Sequence, residues 1–315
     1  GAPRGAARRT VARLLAEQGV IRNRWLFEAL TRWRSGRTMQ AGEYFFDRAS
    51  TPVEVFEKIA GGHIFLRELV VPEGYSMFEI AGLVEREGLT TRDDFLGAAR
   101  DPGLARTVAR GAPSLDGFLF PATYQFPRHL SGKEIATAMV RRFQQEWETV
   151  SAQGHNAAGL SVRQVVTLAS LVERETPQSA ERPLVAGVFL NRLNHRIPLQ
   201  CDPTVVYAME LAGTFSGKLE ARDLKFESQY NTYRHGGLPP GPIANPGTMS
   251  LRAALDPSQT DMVYFVANAE GGHLFSRTLA EHNRNVANYR QRLAQQRRAA
   301  RIAATATATS PERSR

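Results

Sequence analysis

The stretch VVTLASLVERET, Val165 to Thr176, places Leu168, Leu171, Val172 and Glu175 at i, i+3, i+4 and i+7, the spacing of one face of a helix. A carboxylate therefore shares a stripe with three large aliphatic side chains. Ser161 with Gln164 three residues on reads as a capping box, which satisfies orphan amides at a helix start. Pro177 pushes Thr176 out of the α region, so the helix is expected to end at its glutamates.

Glu173 and Glu175 lie two residues apart and point in different directions on such a helix. Glu175 has Leu168, Leu171 and Val172 as helical neighbours, whereas Glu173 has Val166, Ala169 and Ser170. Burial among bulky aliphatics disfavours a charged carboxylate and raises its pKa toward neutrality, as a general acid requires. Glu175 is thus the preferred catalytic candidate, with Glu173 as a possible second carboxylate. The alternative is structural: both are exposed helix-end acids paired with Arg174 or Arg182, because carboxylates usually occupy solvated faces.

At 315 residues, 42% hydrophobic and 23% charged, the chain is long enough for two globular domains. Forty Lys and Arg against 31 Asp and Glu give a net charge of +9 and a pI near 10.1. Such a balance admits nucleic acid, an anionic membrane surface or an acidic polymer as partners. The arginines are spread, apart from Arg141-Arg142 and the tail around Arg297, Arg298 and Arg301, and no nucleic-acid module accompanies them. Most of the charge therefore reads as solvated surface, with no nucleic-acid partner.

Cys201 is the only cysteine, so no intramolecular disulfide forms. Seven histidines are scattered, none at H-x-x-x-H spacing, and no metal site or cofactor is expected. No run of about 20 apolar residues is present, so nothing in this sequence is expected to span a bilayer. The start at Gly1 rather than methionine reads as that of a fragment or processed form.

Along the chain, Val11 to Ala60 is expected to form helix, helix, a short strand over Gly42–Phe46, and a third helix opened by Thr51-Pro52-Val53-Glu54. A strand over Phe65–Val71, a turn at Pro72-Glu73-Gly74 and a helix after Ser76 follow. LDGFLFPATYQF, Leu115 to Phe126, reads as a buried strand and turn, and Ile135–Trp147 as a long helix. Beyond the central helix come another around Val185–Leu193, a turn at Gln200 and Asp202, and the Pro- and Gly-rich loop YNTYRHGGLPPGPIANPG, Tyr230 to Gly247. That loop is either an irregular cover for the core or a sugar-binding wall, in which tyrosine bodies stack and polar tips meet hydroxyls. MVYFVA, Met262–Ala267, is a buried strand, and Thr278 with Glu281 caps a last helix. Residues 297–315 read as a disordered basic tail.

VERET, VFLNRL, LQCDPTVVYAM, YNTYRHGGLPPGPIANPG and YFVANAEGGHLFSRTLAEHN, in that order, resemble the YceG-like family of endolytic murein transglycosylases. LDGFLFPATYQF is similar to that family's upstream motif, and Val11–Ala60 more distantly resembles its LysM-like subdomain. The resemblance implies an α+β chain: a small LysM-like subdomain, residues 1–64, then a larger mixed α/β catalytic domain, residues 65–296. It implies cleavage of the β-1,4 bond between N-acetylmuramic acid and N-acetylglucosamine, leaving 1,6-anhydromuramyl ends and terminating nascent strands. It also implies an N-terminal membrane anchor upstream of Gly1, an extracytoplasmic location at the inner membrane, and peptidoglycan synthases as partners.

Glu175-Thr176 is similar to the Glu-Ser pair of other lytic transglycosylases, which strengthens Glu175 over Glu173. Gln200, Asp202, Tyr230, Asn231, Thr232 and Tyr233 are implied to bind and orient the sugar. His273 and His282 are read as holding the last strand and helix, and Cys201 and the histidine-glycine insertion in YNTYRHGG as local variation. A non-catalytic glycan-binding scaffold, and a hydrolytic muramidase using Asp202 or Glu173 as second carboxylate, are the competing classes.

Overall fold

The computed structural model describes residues 8–128, 130–156 and 158–308. In chain order its elements are α1 (Arg8–Glu17), α2 (Arg24–Trp33), α3 (Pro52–Ala60), β1 (Arg67–Val70), α4 (Met77–Arg86), α5 (Arg92–Ala99), α6 (Pro102–Arg106) and β2 (Thr123–Phe126). There follow α7 (Gly132–Gln153), α8 (Val162–Glu175), α9 (Arg182–Asn194), α10 (Asp202–Leu211), α11 (Thr248–Leu255), β3 (Tyr264–Ala267), β4 (His273–Ser276) and α12 (Leu279–Ala308). The fold is α+β in the coarse sense, helix-rich with two short antiparallel ladders. Among the described residues it divides into two compact units: 8–71 with 79–98 and 122–137, and 72–78 with 99–121 and 138–308.

In the first unit, α1, α2 and α3 close over Val11, Ala12, Ile21, Phe27, Val55, Phe56 and Ile59. Asn23 caps α2 by accepting from the amides of Trp25 and Leu26, and Thr51 with Glu54 forms the capping box expected at α3. The strand expected over Gly42–Phe46 does not form; only Gly42 makes an isolated bridge. Tyr44 turns its hydroxyl back to the carbonyls of Gln40 and Ile59, at 2.8 and 3.2 Å, and Phe46 packs on the helical core. Aromatic alternation here serves a coil laid over helices. β1 and β2 pair antiparallel, with Arg67 opposite Phe126 and Val70 opposite Thr123.

The second unit is built around α8. Its capping box is made by Ser161 and Gln164, and it ends at Thr176, whose amide returns to the Val172 carbonyl. Every residue from Val165 to Val172 is buried, so the helix is enclosed on all sides and the single apolar stripe understates its burial. α9, α10 and α11 pack against it. Gly117 in the LDGF turn sits at φ +87°, and a Cβ there would lie 2.8 Å from Val166 Cγ1 and collide with Pro242 Cβ and Cγ. Only glycine fits where this turn meets α8 and the proline-rich loop.

β3 and β4 form a hairpin with Tyr264 opposite Ser276 and Ala267 opposite His273. Thr278 and Glu281 then cap α12 reciprocally. α12 continues to Ala308, over residues from 297 that the sequence reading assigns to a disordered tail; the alanines there favour helix. Residues 309–315 of that tail lie outside the described residues. Among the described residues no helix is long and apolar enough to cross a membrane.

Candidate active site

The C-terminal turn of α8 sends its two glutamates to different fates. Glu173, only 5% exposed, accepts from Arg182 Nη2 at 2.8 Å through one oxygen and from the Gly247 amide at 3.0 Å through the other. Arg182, at 8% exposure, also faces Glu73 Oε2 at 3.6 Å. Glu173 thus has the Arg182 partner of the structural alternative, although it is buried where that alternative had it exposed. Its charge is compensated and both oxygens are engaged.

Glu175 is half-buried. Burial raises its carboxyl above the ordinary range; the neighbouring Asp202 charge adds to this, while a hydrogen bond from Cys201 and the positive fields of His273 and Arg192 oppose it. A carboxyl with a raised pKa, close to Arg192 and His273, suits proton donation followed by proton acceptance.

The turn before α10 builds one wall of this site. Gln200 adopts φ +52°, an uncommon left-handed conformation for a side chain of this size. Its amide donates to the Thr232 carbonyl at 3.2 Å, and the Cys201 amide donates to Thr232 Oγ1 at 3.0 Å. The buried Cys201 thiol is pushed well up by burial and the Glu175 charge, so it remains a neutral donor to Glu175. Asp202 accepts from the Tyr233 hydroxyl at 2.5 Å. Arg192, on α9, is buried and donates to Gln200 Oε1 at 2.9 Å. Its guanidinium lies 5.4 Å from the Tyr264 ring centre, and its Nε has no hydrogen-bond partner among the described residues.

A further side chain near Glu175, His273, comes from β4. Glu181 accepts from the His273 main-chain amide at 2.9 Å through one oxygen and meets His273 Nδ1 at 2.7 Å through the other. Burial opposes ionisation of Glu181, but the two His273 contacts outweigh it and its pKa lies below the usual value. Thr176, next to Glu175, donates to the same carboxylate at 3.3 Å. Glu181 therefore ties the end of α8 to the β3–β4 hairpin. His282 instead stacks on Tyr264, with ring centres 5.2 Å apart.

Of the residues read from sequence, Glu175, Gln200, Asp202 and Tyr233 come together. Asn231 and Thr232 are buried and engaged within the protein: Asn231 Nδ2 donates to the Leu224 and Phe226 carbonyls at 3.1 and 2.7 Å, and Thr232 supports the Cys201 turn. Tyr230 packs on Tyr207 at 5.0 Å between ring centres, in a separate buried group around Asp116. Arg192, Glu181, Cys201 and His273 were not read as site residues. A lone arginine in the apolar run VFLNRL and a histidine directly after two glycines are the signals that mark two of them.

The Tyr230–Gly247 loop is fastened along α8 at three points. Arg163 Nη1 donates to the Pro240 carbonyl at 2.5 Å, the Ile243 amide to Ser170 Oγ at 3.1 Å, and the Gly247 amide to Glu173 at 3.0 Å. Asn245 Nδ2 further donates to Asp116 Oδ1 at 3.0 Å, and Asn245 Oδ1 accepts from the Leu119 amide at 2.8 Å.

The YceG-like family model matches residues 2–288. An endolytic murein transglycosylase of Bacillus subtilis (strain 168) is 32% identical over 303 residues, covering 91% of this chain and 83% of that protein. The endolytic murein transglycosylase of Streptococcus pneumoniae serotype 2 is 27% identical over 323 residues, and the match spans 92% of this chain but 58% of that protein. The crystal structure of a yceG-like protein from Listeria monocytogenes superposes with a TM-score of 0.62 at 32% identity, over 90% of this chain and 97% of that one. A match of this extent runs through α8, the Gln200–Asp202 turn, the proline-rich loop and the β3–β4 hairpin alike, and so the chain belongs to the YceG-like family.

Proposed function

We propose that this chain is an endolytic murein transglycosylase, cutting glycan strands at the N-acetylmuramyl-β-1,4-N-acetylglucosamine bond and leaving 1,6-anhydromuramyl ends. The observation that carries this reading is the division of labour at the end of α8: Glu173 is neutralised by Arg182, while Glu175 keeps a raised pKa beside Arg192 and His273. A hydrolase of the two-carboxylate type needs a second acid as nucleophile or base; a lytic transglycosylase works with one, because the muramyl C6 hydroxyl replaces water.

In this mechanism Glu175 gives its proton to the glycosidic oxygen as the bond from muramyl C1 breaks. The carboxylate so formed takes the proton of the C6 hydroxyl, whose oxygen bonds to C1. The proton count closes on Glu175 and no water is consumed. Arg192 and Gln200, together with the Asp202–Tyr233 pair, line the place where the sugar is oriented; Thr232 acts from beneath by holding the Cys201 turn, and Asn231 by accepting from the Tyr233 amide. Tyr230 acts through the Asp116 group.

The proposal extends to a LysM-like subdomain over residues 1–64, a catalytic domain over residues 65–296, an anchor to the cytoplasmic membrane with the enzyme outside it, and action on nascent strands beside peptidoglycan synthases. Mass spectrometry of uncrosslinked glycan strands incubated with the chain and with Glu175→Gln tests the chemistry. Anhydro-ended fragments from the parent alone support it. Reducing ends would identify a muramidase, and no cut with retained binding would identify a scaffold.

A further inference from the structure

We propose that the outer face of α2 is a docking surface for an anionic lipid membrane. The helix carries two apolar faces. Phe27, Leu30 and Thr31 turn inward to the core of the first unit. On the other side Trp25, Ala29 and Trp33 recur at i, i+4 and i+8, with Leu26 beside them. Trp25 is 63% exposed, Leu26 60% and Trp33 79%. Two tryptophans and a leucine on one open helical face form a patch that a solvated surface does not require.

The charge around the patch selects the occupant. Residues 8–40 hold eight arginines and two glutamates, a balance of +6 in a chain whose total is +9. Arg24 lies over Trp25, its guanidinium 4.3 Å from the ring centre. Arg22, Arg24 and Arg32 have no acidic partner among the described residues. A helix with tryptophan and leucine on one side and arginines at its borders matches the boundary between headgroups and acyl chains, where indole rings settle and anionic lipid attracts the guanidinium groups. A saccharide surface is less well served: the exposed face formed by residues 25, 26, 29, 32 and 33 offers no carboxylate or amide side chain to accept sugar hydroxyls. A second copy would bring arginine against arginine across a self-complementary contact.

The test is co-sedimentation of the full chain with vesicles of phosphatidylcholine alone and of phosphatidylcholine mixed with phosphatidylglycerol, at low and at physiological salt. Binding is expected only to the anionic vesicles, weakening as salt rises. Trp25→Ser with Trp33→Ser, and separately Arg24→Gln with Arg32→Gln, are expected to weaken it about tenfold or more, with unchanged melting temperature because these side chains are exposed. If the tryptophan variant fails to fold, the arginine variant decides. No sedimentation with anionic vesicles at low salt, or binding undiminished by the variants that fold, overturns the proposal. So does retention on purified glycan strands, or self-association, that the tryptophan changes abolish while vesicle binding is absent. These outcomes are independent of whether the chain cleaves glycan.

Discussion

Arg182 donates to Glu173 at 2.8 Å, and neither side chain is more than 8% exposed. In a buried ion pair each partner compensates the other, and removing one leaves the other's charge uncompensated. Two residues further on, Glu175 has no such pair among the described residues, and its acid form is favoured by burial. One helical turn thus supplies a carboxylate tied into an ion pair and a carboxyl whose pKa is raised.

Substitution separates the two. Glu173→Gln leaves the buried Arg182 with only the more distant and half-exposed Glu73 as counter-charge, and is expected to cost up to about 3–5 kcal/mol of stability. Glu175→Gln is expected to hold or raise the melting temperature while lowering strand cleavage about 10²- to 10⁴-fold. Calorimetry and product analysis on the same two variants check this; an unstable Glu175→Gln beside a stable, inactive Glu173→Gln would exchange the roles.

The pH profile should report the neighbours of Glu175. A general acid must begin protonated, so kcat/KM falls as pH rises through its raised pKa. Removing the Cys201 thiol (Cys201→Ala) or the His273 ring (His273→Gln) deletes groups that lower that pKa, and the high-pH limb moves up. Asp202→Asn deletes a charge that raises it, and the limb moves down. A limb unmoved in all three belongs to another group.

Asp116 gives stability its own pH dependence. It is fully buried, and desolvation pushes its pKa from 3.8 to about 7, against the neighbouring Tyr207 hydroxyl and hydrogen bonds from the Met77 amide and Asn245. A raised carboxyl binds its proton more tightly in the folded chain, so its contribution is complete below about pH 4 and is lost as pH rises through about 7. The size is on the order of a few kcal/mol. Urea denaturation should find the parent less stable at pH 8 than at pH 5, and the difference smaller in Asp116→Asn.

Gly117→Ala combines a positive φ with contacts to Val166 and Pro242 that leave no space for a methyl group. Loss of about 3 kcal/mol or more is expected, since overpacking and left-handed strain add. A melting temperature within two or three degrees of the parent would show that the turn relaxes more readily than its neighbours suggest.

What the sequence made legible was local. The Ser161–Gln164 box and Pro177 bracket α8 because capping and proline geometry act within four residues. The divergence of Glu173 and Glu175 follows from helical pitch alone. The His273 contact with Glu181 joins residues 92 apart in the chain, and no periodicity encodes such a meeting. Cys201 looked incidental because its thiol matters only through the Glu175 carboxylate it meets. The Gly42–Phe46 reading failed for a different reason: alternation describes faces, and a strand also needs a neighbouring strand to bond.

The fastening of the proline-rich loop along α8 has a consequence for how length can vary. Its anchors on the helix, Arg163, Ser170 and Glu173, meet Pro240, Ile243 and Gly247 in the same order. Ten helical residues rise about 15 Å, and seven loop residues cover that distance at about 2 Å each, well short of full extension. The loop runs beside the helix in the same direction but not residue for residue: seven helical residues face three of the loop, and the next three face four. Adding or removing one residue between Pro240 and Gly247 would put every later anchor out of step and withdraw the amide that Glu173 accepts, whereas the turn at Ala212–Gly213, which holds no such anchors, has room to grow.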